Sequence, residues 1–344
     1  MASKNSPLVS VCIPVYETEV YLEQCLRSVI TQDFESFEVV IVSDASRGKD
    51  GAGRNCKKIV HAAQKECKKL RRQNKLTPVD FTFIENRENR GIIEVRRTLV
   101  TASRGHYIAM LDSDDEFVSD ALSAMYSVSC NGKTDIVQGS SVAGIFDGSG
   151  KLFVSEHNKY GNTLCGTLKG HEIFHRWVTE DGVTGILWAK LIKRSVFIHA
   201  FGHIPYTECN LAEDYMIFFF VSLLTDSYTG IKNHVYNYRL ESGVSSGNAI
   251  TSLEKWKKIC STASVFTVIS LYLEENSEKN VITKEENLAI RRRAMFYLMN
   301  NIQQMKHSVS SELQAEAQEM LCEYWGKDFV EKMIASYEKG NEKK

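Results

Sequence analysis

Residues 107–117 read YIAMLDSDDEF, an apolar run that empties into Asp112, Asp114, Asp115 and Glu116. Two unit charges ~4 Å apart repel by ~4 kcal/mol at an effective dielectric near 20. Such a cluster is either splayed into water or gathered round a cation. Oxygen-only donors suit Mg2+ or Mn2+, and Mg2+ in particular is held by one or two carboxylates and completed by substrate phosphates. Asp112 and Asp114 therefore point to a nucleoside diphosphate, with a metal as electrostatic clamp on a departing pyrophosphate oxygen. Taken alone, DSDD is equally the composition of a turn or a helix cap.

Two further strand-like runs end in polar residues. One closes in Pro14-Val15-Tyr16-Glu17, the other in Ser43-Asp44-Ala45-Ser46. Glu213-Asp214 stand before YMIFFFVSLL, an apolar run of helix length. Acids there cap a helix N-terminus, or supply a general base near a hydroxyl. Arg239 suits a phosphate by charge and equally suits a surface position. His171, His175, His203 and His234 show no ligand spacing, and Phe218–Phe220 read as core.

The elements that would position these groups have two textures. VSVCIPV (9–15), FEVVIV (37–42), DFTFI (80–84) and HYIAML (106–111) are nearly continuous apolar runs, which fits strands of a parallel sheet covered on both faces. Between them run helical stripes: Leu22, Cys25, Leu26, Val29 and Ile30; Ile59, Ala62, Ala63 and Cys67; Ile92, Val95, Leu99 and Ala102. The alternation predicts right-handed crossovers and a doubly wound, Rossmann-like α/β sheet, mostly parallel. Ligands of such sheets bind at the carboxyl ends of the strands, where strand order reverses. All three polar ends should open there.

After Cys130 the texture changes. Residues 134–146 read as a strand, DGSGK as a turn and KLFVSEH as a returning hairpin arm. A mixed region runs to Ser246, and from Ile250 the pattern is helical. This divides the chain into residues 1–130, 131–249 and 250–344, the last a helical extension.

With 42 Lys and Arg against 43 Asp and Glu, and 43% hydrophobic residues, the chain is an ordinary globular one. The even balance gives no reason to expect a nucleic-acid partner. The basic run from Arg54 to Lys75 is a solvated helix face or a surface for anionic lipid. No apolar leader and no run of about 18 apolar residues is present. The nine scattered cysteines read as free thiols, and the expected location is the cytoplasm, including peripheral contact with the inner face of the membrane.

The segments PLVSVCIPVYETEVYLEQCLRSVITQDFESFEVVIVSDAS and ENRENRGIIEVRRTLVTASRGHYIAMLDSDD resemble the N-terminal half of a family 2 glycosyltransferase, over residues 8 to about 130. The resemblance implies the GT-A fold and a UDP-sugar donor. It implies that Tyr16, after Pro14 and beside Glu17, stacks on uracil and that Asp44 reads the uracil edge. Arg96, on the helix after the Asn89–Gly91 turn, would contact the nucleotide. Asp112 would lie by ribose and metal, with Ser113 beside it, and Asp114 would ligate Mn2+ or Mg2+. Asp214 would be the base, with Glu213 and Trp188 on the acceptor side, and Arg239, with Tyr238 and Ser245, in a segment closing over the diphosphate. Ser43, Glu17 and Arg97-Thr98 depart from the family pattern. The spacing from WAKLIKR through LAED to YNYR most resembles bacterial lipooligosaccharide β-1,3-galactosyltransferases.

The expectation is an inverting, metal-dependent enzyme moving a hexose, galactose or an N-acetylhexosamine, from a UDP-sugar to an oligosaccharide or lipid-linked glycan, as a monomer or homodimer. Two rivals stand beside it. One is a phosphatase with Asp112 as nucleophile, although that chemistry places its motif on the first strand. The other is a non-catalytic nucleotide-sugar-binding partner of a synthase.

Overall fold

The computed structural model describes residues 6–147, 152–155, 162–180, 182–240 and 249–341. Strands β1 (Val9–Val15), β2 (Phe37–Ser43), β3 (Phe81–Glu85) and β4 (Tyr107–Met110) alternate with helices α1 (Glu19–Ile30), α2 (Cys56–Gln73) and α3 (Ile92–Ala102). The strands lie in the order β3-β2-β1-β4, all parallel. The chain winds outward from β1 to β3 and then returns to the other side of β1. Strand order therefore reverses between β1 and β4, and sheets of this kind bind their ligands at the carboxyl ends of the strands there.

Burial explains why these runs are strands. Every residue of β1, β2 and β4 is buried, so none needs to alternate. The expected stripe of α1 is wholly buried. In α2 the buried side is Cys56, Ile59, Val60, Ala63 and Cys67, while Ala62 is exposed. One residue is about 100° of rotation, which turns Ala62 off a stripe centred on Ala63. Helix α3 buries Val95 and Leu99 as expected, together with Ile93, Val100 and Arg96; Ile92 and Ala102 are half-buried.

Beyond β4 come β5 (Glu116–Phe117), α4 (Ala121–Ser127), β6 (Ile136–Phe146), β7 (Leu152–Val154), β8 (Gly166–Lys169), α5 (Glu172–Thr179), β9 (Lys190–Lys193), α6 (Arg194–Gly202), α7 (Glu213–Leu223) and β10 (Ser227–Arg239). The sheet continues β4-β9-β6-β10-β5, with β9 antiparallel to both neighbours and β10 parallel to β6. Strand β7 returns antiparallel along β6, the expected hairpin. Most of its DGSGK turn, like Ser245, lies outside the described residues. The pairing of Phe117 with Tyr236 brings β10 beside the acidic turn.

Contacts divide the chain into two units, Met1–Gly202 with Phe220–Val244, and His203–Phe219 with Ser245–Lys344. The second holds the helical extension: α8 (Leu253–Cys260), α9 (Thr262–Glu275), α10 (Lys284–Ser308), α11 (Gln314–Trp325) and α12 (Lys327–Asn341). Its core surrounds Trp256, whose indole N–H donates to the Ala317 carbonyl at 2.8 Å. Helix α10 opens on a capping box between Thr283 and Glu286. No described helix is long and apolar enough to cross a membrane. All nine cysteines are free thiols.

Candidate active site

The acidic turn resolves its own repulsion by alternation. Asp112 and Asp114 are half-buried and face outward, while Ser113 and Asp115 are buried. Asp115, only 1% exposed, is fully held: Oδ2 accepts from the Tyr236 hydroxyl and Oδ1 from the Arg239 N–H, both at 2.7 Å. Burial, then the neighbouring Asp114 and Asp112, push its carboxyl well above the usual carboxylate range. The Tyr236 hydroxyl also accepts from the Asp112 N–H at 3.2 Å, and the Ser113 and Thr18 hydroxyls share a hydrogen bond of 2.6 Å. Burial raises Glu116 to about 7, opposed by Arg239. Asp115 and Glu116 are thus tied to β10, while Asp112 and Asp114 stay half-buried at the surface of the turn.

Arg96 reaches this turn from α3. It is buried, with a guanidinium nitrogen 3.5 Å from Asp112 Oδ1. The start of α3 is fixed by Gly91, whose φ of +80° strains any residue with a Cβ. It is fixed also by Asp44. Asp44 Oδ1 accepts from Asn86 Nδ2 at 2.7 Å and Arg90 N at 2.9 Å, and Oδ2 accepts from Gly91 N at 3.0 Å and from the same Arg90 N at 3.1 Å. The residue expected to read a base therefore also holds the turn that launches α3.

At the end of β1, Pro14 is buried opposite Val42. Tyr16 follows, 39% exposed, an aromatic ring open to stacking. Glu17 turns back with φ +56°. Its N–H donates to Ser46 Oγ and its Oε1 accepts from Arg47 N, each at 2.8 Å. Glu17 thereby ties the loop after β2 to the end of β1.

Arg239 is buried at the end of β10. Its Nε donates to the Asp114 carbonyl at 2.8 Å, and its Nη2 to Gln24 Oε1 at 3.1 Å and Glu116 Oε1 at 3.3 Å. The guanidinium lies 3.9 Å from the Phe146 ring centre and 4.8 Å from that of Tyr21. It fastens α1, β5, β6 and β10 around the acidic turn. Trp188 stacks on Tyr236, with centroids 4.5 Å apart, and on Tyr238 at 5.5 Å, and is 6% exposed. Two residues on, Lys190 is buried and donates to Thr184 Oγ1 and the Ile186 carbonyl, and burial lowers it to about 7.

The first unit thus brings together Pro14, Tyr16, Glu17, Asp44, Arg96, Asp112, Ser113, Asp114, Trp188 and Arg239. Glu213 and Asp214 group with the second unit, half-buried in the first turn of α7, where acids suit the helix dipole. Asp115, Tyr236, Gln24 and Lys190 were not anticipated. The partners of Asp115, Tyr236 and Gln24 lie far away in sequence, whereas Lys190 is held by the nearby Thr184 and Ile186 and sits in an apolar run that gives no sign of it. Among the described residues no three His, Cys, Asp or Glu side chains cluster as a metal site. The presented pair, Asp112 and Asp114, is an oxygen-only donor set of the size Mg2+ or Mn2+ accepts when phosphates complete the sphere.

Similarity to known proteins gives the family and the fold. The profile "Glycosyl transferase family 2" matches residues 10–199. EpsH of Bacillus subtilis strain 168 is 26% identical over 283 residues, 82% of this chain and 73% of that protein. The GalNAc(5)-diNAcBac-PP-undecaprenol beta-1,3-glucosyltransferase of Campylobacter jejuni is 25% identical over 210 residues, 56% of this chain and 62% of that one. Among solved structures, residues 1–349 of S. aureus TarS in complex with UDP-GlcNAc superpose with a TM-score of 0.54 at 16% identity, covering 96% of this chain and 92% of that one. That likeness is one of fold.

Proposed function

The chain belongs to glycosyl transferase family 2, and we propose that it is an inverting enzyme moving galactose or an N-acetylhexosamine from a UDP-sugar to a glycan hydroxyl. The acceptor we propose is an oligosaccharide or lipid-linked glycan of bacterial surface polysaccharide or lipooligosaccharide synthesis, met at the inner face of the membrane. One observation carries the reading. At the point where strand order reverses, the fold presents Asp112 and Asp114 outward beside Arg96, while it locks Ser113 and Asp115 inward.

Each side chain has a part in it. Tyr16 stacks on the base, and Asp44 reads the base edge. Arg96, held beside Asp112, supplies positive charge at the nucleotide. Asp114 and Asp112 would hold Mn2+ or Mg2+, which when bound stabilises charge on the leaving diphosphate. Asp214 takes the proton from the acceptor hydroxyl as it attacks the anomeric carbon, with Glu213 and Trp188 on the acceptor side. Attack opposite the leaving group turns an α-linked donor into a β-linked product.

The complex of TarS with UDP-GlcNAc supports the donor class. The lipid-linked substrate and β-1,3 linkage named for the Campylobacter enzyme support the acceptor class. The WAKLIKR-to-YNYR spacing supports the lipooligosaccharide subgroup rather than any one sugar. The test is a screen of UDP-sugars for metal-assisted binding, followed by UDP release with and without acceptor and linkage analysis of the product. Binding without acceptor-stimulated release would favour a non-catalytic partner of a synthase.

A further inference from the structure

Helix α10 buries Ile290, and packs Leu298, Ile302 and Met305 into the core of the second unit. Elsewhere it exposes an unusual mixture. Leu288 (49%), Met295 (43%) and Phe296 (54%) are open to solvent, and so are Arg291, Arg292 and Arg293. Leu288, Arg292, Met295 and Phe296 are spaced by three and four residues, so they stack along one side of the helix. Arg291 and Arg293 lie about 100° to either side of Arg292. Leu271, on the contacting helix α9, is exposed as well. From Asn287 to Ser308 the helix has no Asp or Glu to offset the arginines.

Apolar side chains edged by arginines suit a helix lying in a lipid interface. The apolar groups enter the acyl boundary, and the long guanidinium stems reach back to headgroup phosphates. We propose that this face of α10 seats the protein on an anionic lipid bilayer. Helix α2 is also basic, exposing Lys57, Lys58, Lys65, Lys68, Lys69 and Arg72, but it exposes no large apolar side chain. Its attraction is electrostatic alone and is screened by salt. The inference deepens the lipid-linked acceptor proposed above. Vesicle binding is measured with neither donor nor acceptor, so either reading can fail without the other.

The experiment is co-sedimentation of the full chain with phosphatidylglycerol–phosphatidylcholine vesicles and with pure phosphatidylcholine vesicles. The protein should pellet with the anionic vesicles. The triple variant Arg291→Glu/Arg292→Glu/Arg293→Glu and, separately, Leu288→Ser/Phe296→Ser should each weaken that binding by about tenfold or more. The circular dichroism spectrum and urea midpoint of each variant should match wild type, as a check on folding. Lys65→Glu/Lys68→Glu in α2 should leave vesicle binding nearly unchanged. Equal pelleting of wild type and both α10 variants would overturn the proposal, as would loss confined to the α2 variant. So would an α10 face that holds two copies together in sedimentation equilibrium and ignores lipid.

Discussion

The Tyr236 hydroxyl donates to Asp115 Oδ2 at 2.7 Å and accepts from the Asp112 N–H at 3.2 Å, so one side chain of β10 pins both ends of the acidic turn. Tyr236→Phe keeps the ring under Trp188 and removes only the hydroxyl. It leaves a buried carboxylate short of a donor, at a cost of about 1–3 kcal/mol. Urea denaturation should read that loss. Metal-assisted UDP binding should weaken with it, because the turn presenting Asp112 and Asp114 loses its anchor. A variant as stable as wild type would remove the anchoring role.

Asp114→Ala separates presentation from scaffold. The backbone carbonyl that Arg239 Nε holds stays in place, so the turn keeps that anchor. Loss of a ligand should cost at least what a supporting residue costs at a metal site, about 10–100-fold in affinity. Calorimetry of UDP with and without Mn2+ should show the metal's contribution vanish. Asp115→Ala should instead lower stability, since it strips the partners of Tyr236 and of the Arg239 N–H.

Asp214→Asn tests the base. The variant keeps the size of the side chain in the first turn of α7, so UDP affinity should stay near wild type. Turnover should fall about 10²–10⁴-fold, the usual contribution of general base catalysis. Unchanged turnover in a single-turnover assay would take Asp214 out of the mechanism.

The N-terminal half of the fold was legible because its strands are buried on both faces. VSVCIPV and FEVVIV have no alternation to misread, and β1 and β2 begin where those runs begin. Strand β10 was not legible. SYTGIKNHVYNYR mixes buried and exposed positions without a period, and what makes it a strand is pairing with β6, β5 and β8. The site divides in the same way. Asp112 and Asp114 announced themselves by crowding, a local property. The burial of Asp115, and the many ties of Arg239 that make it a fastener, depend on partners more than a hundred residues away and leave no local trace.

Lys190 gives the fold a pH dependence that can be isolated. Burial lowers it from 10.5 to about 7. Between those values the unfolded chain holds a proton on this amine that the folded chain has released. The unfolded state then binds more protons, so stability rises with pH across that window. Lys190→Met removes the titrating group and keeps the chain length of the side chain. The difference between wild type and variant, followed by urea denaturation from about pH 7 to about pH 9.5, should therefore change steadily in favour of wild type. Two parallel profiles would mean that Lys190 keeps its charge in the folded protein, with Thr184 and the Ile186 carbonyl as sufficient partners.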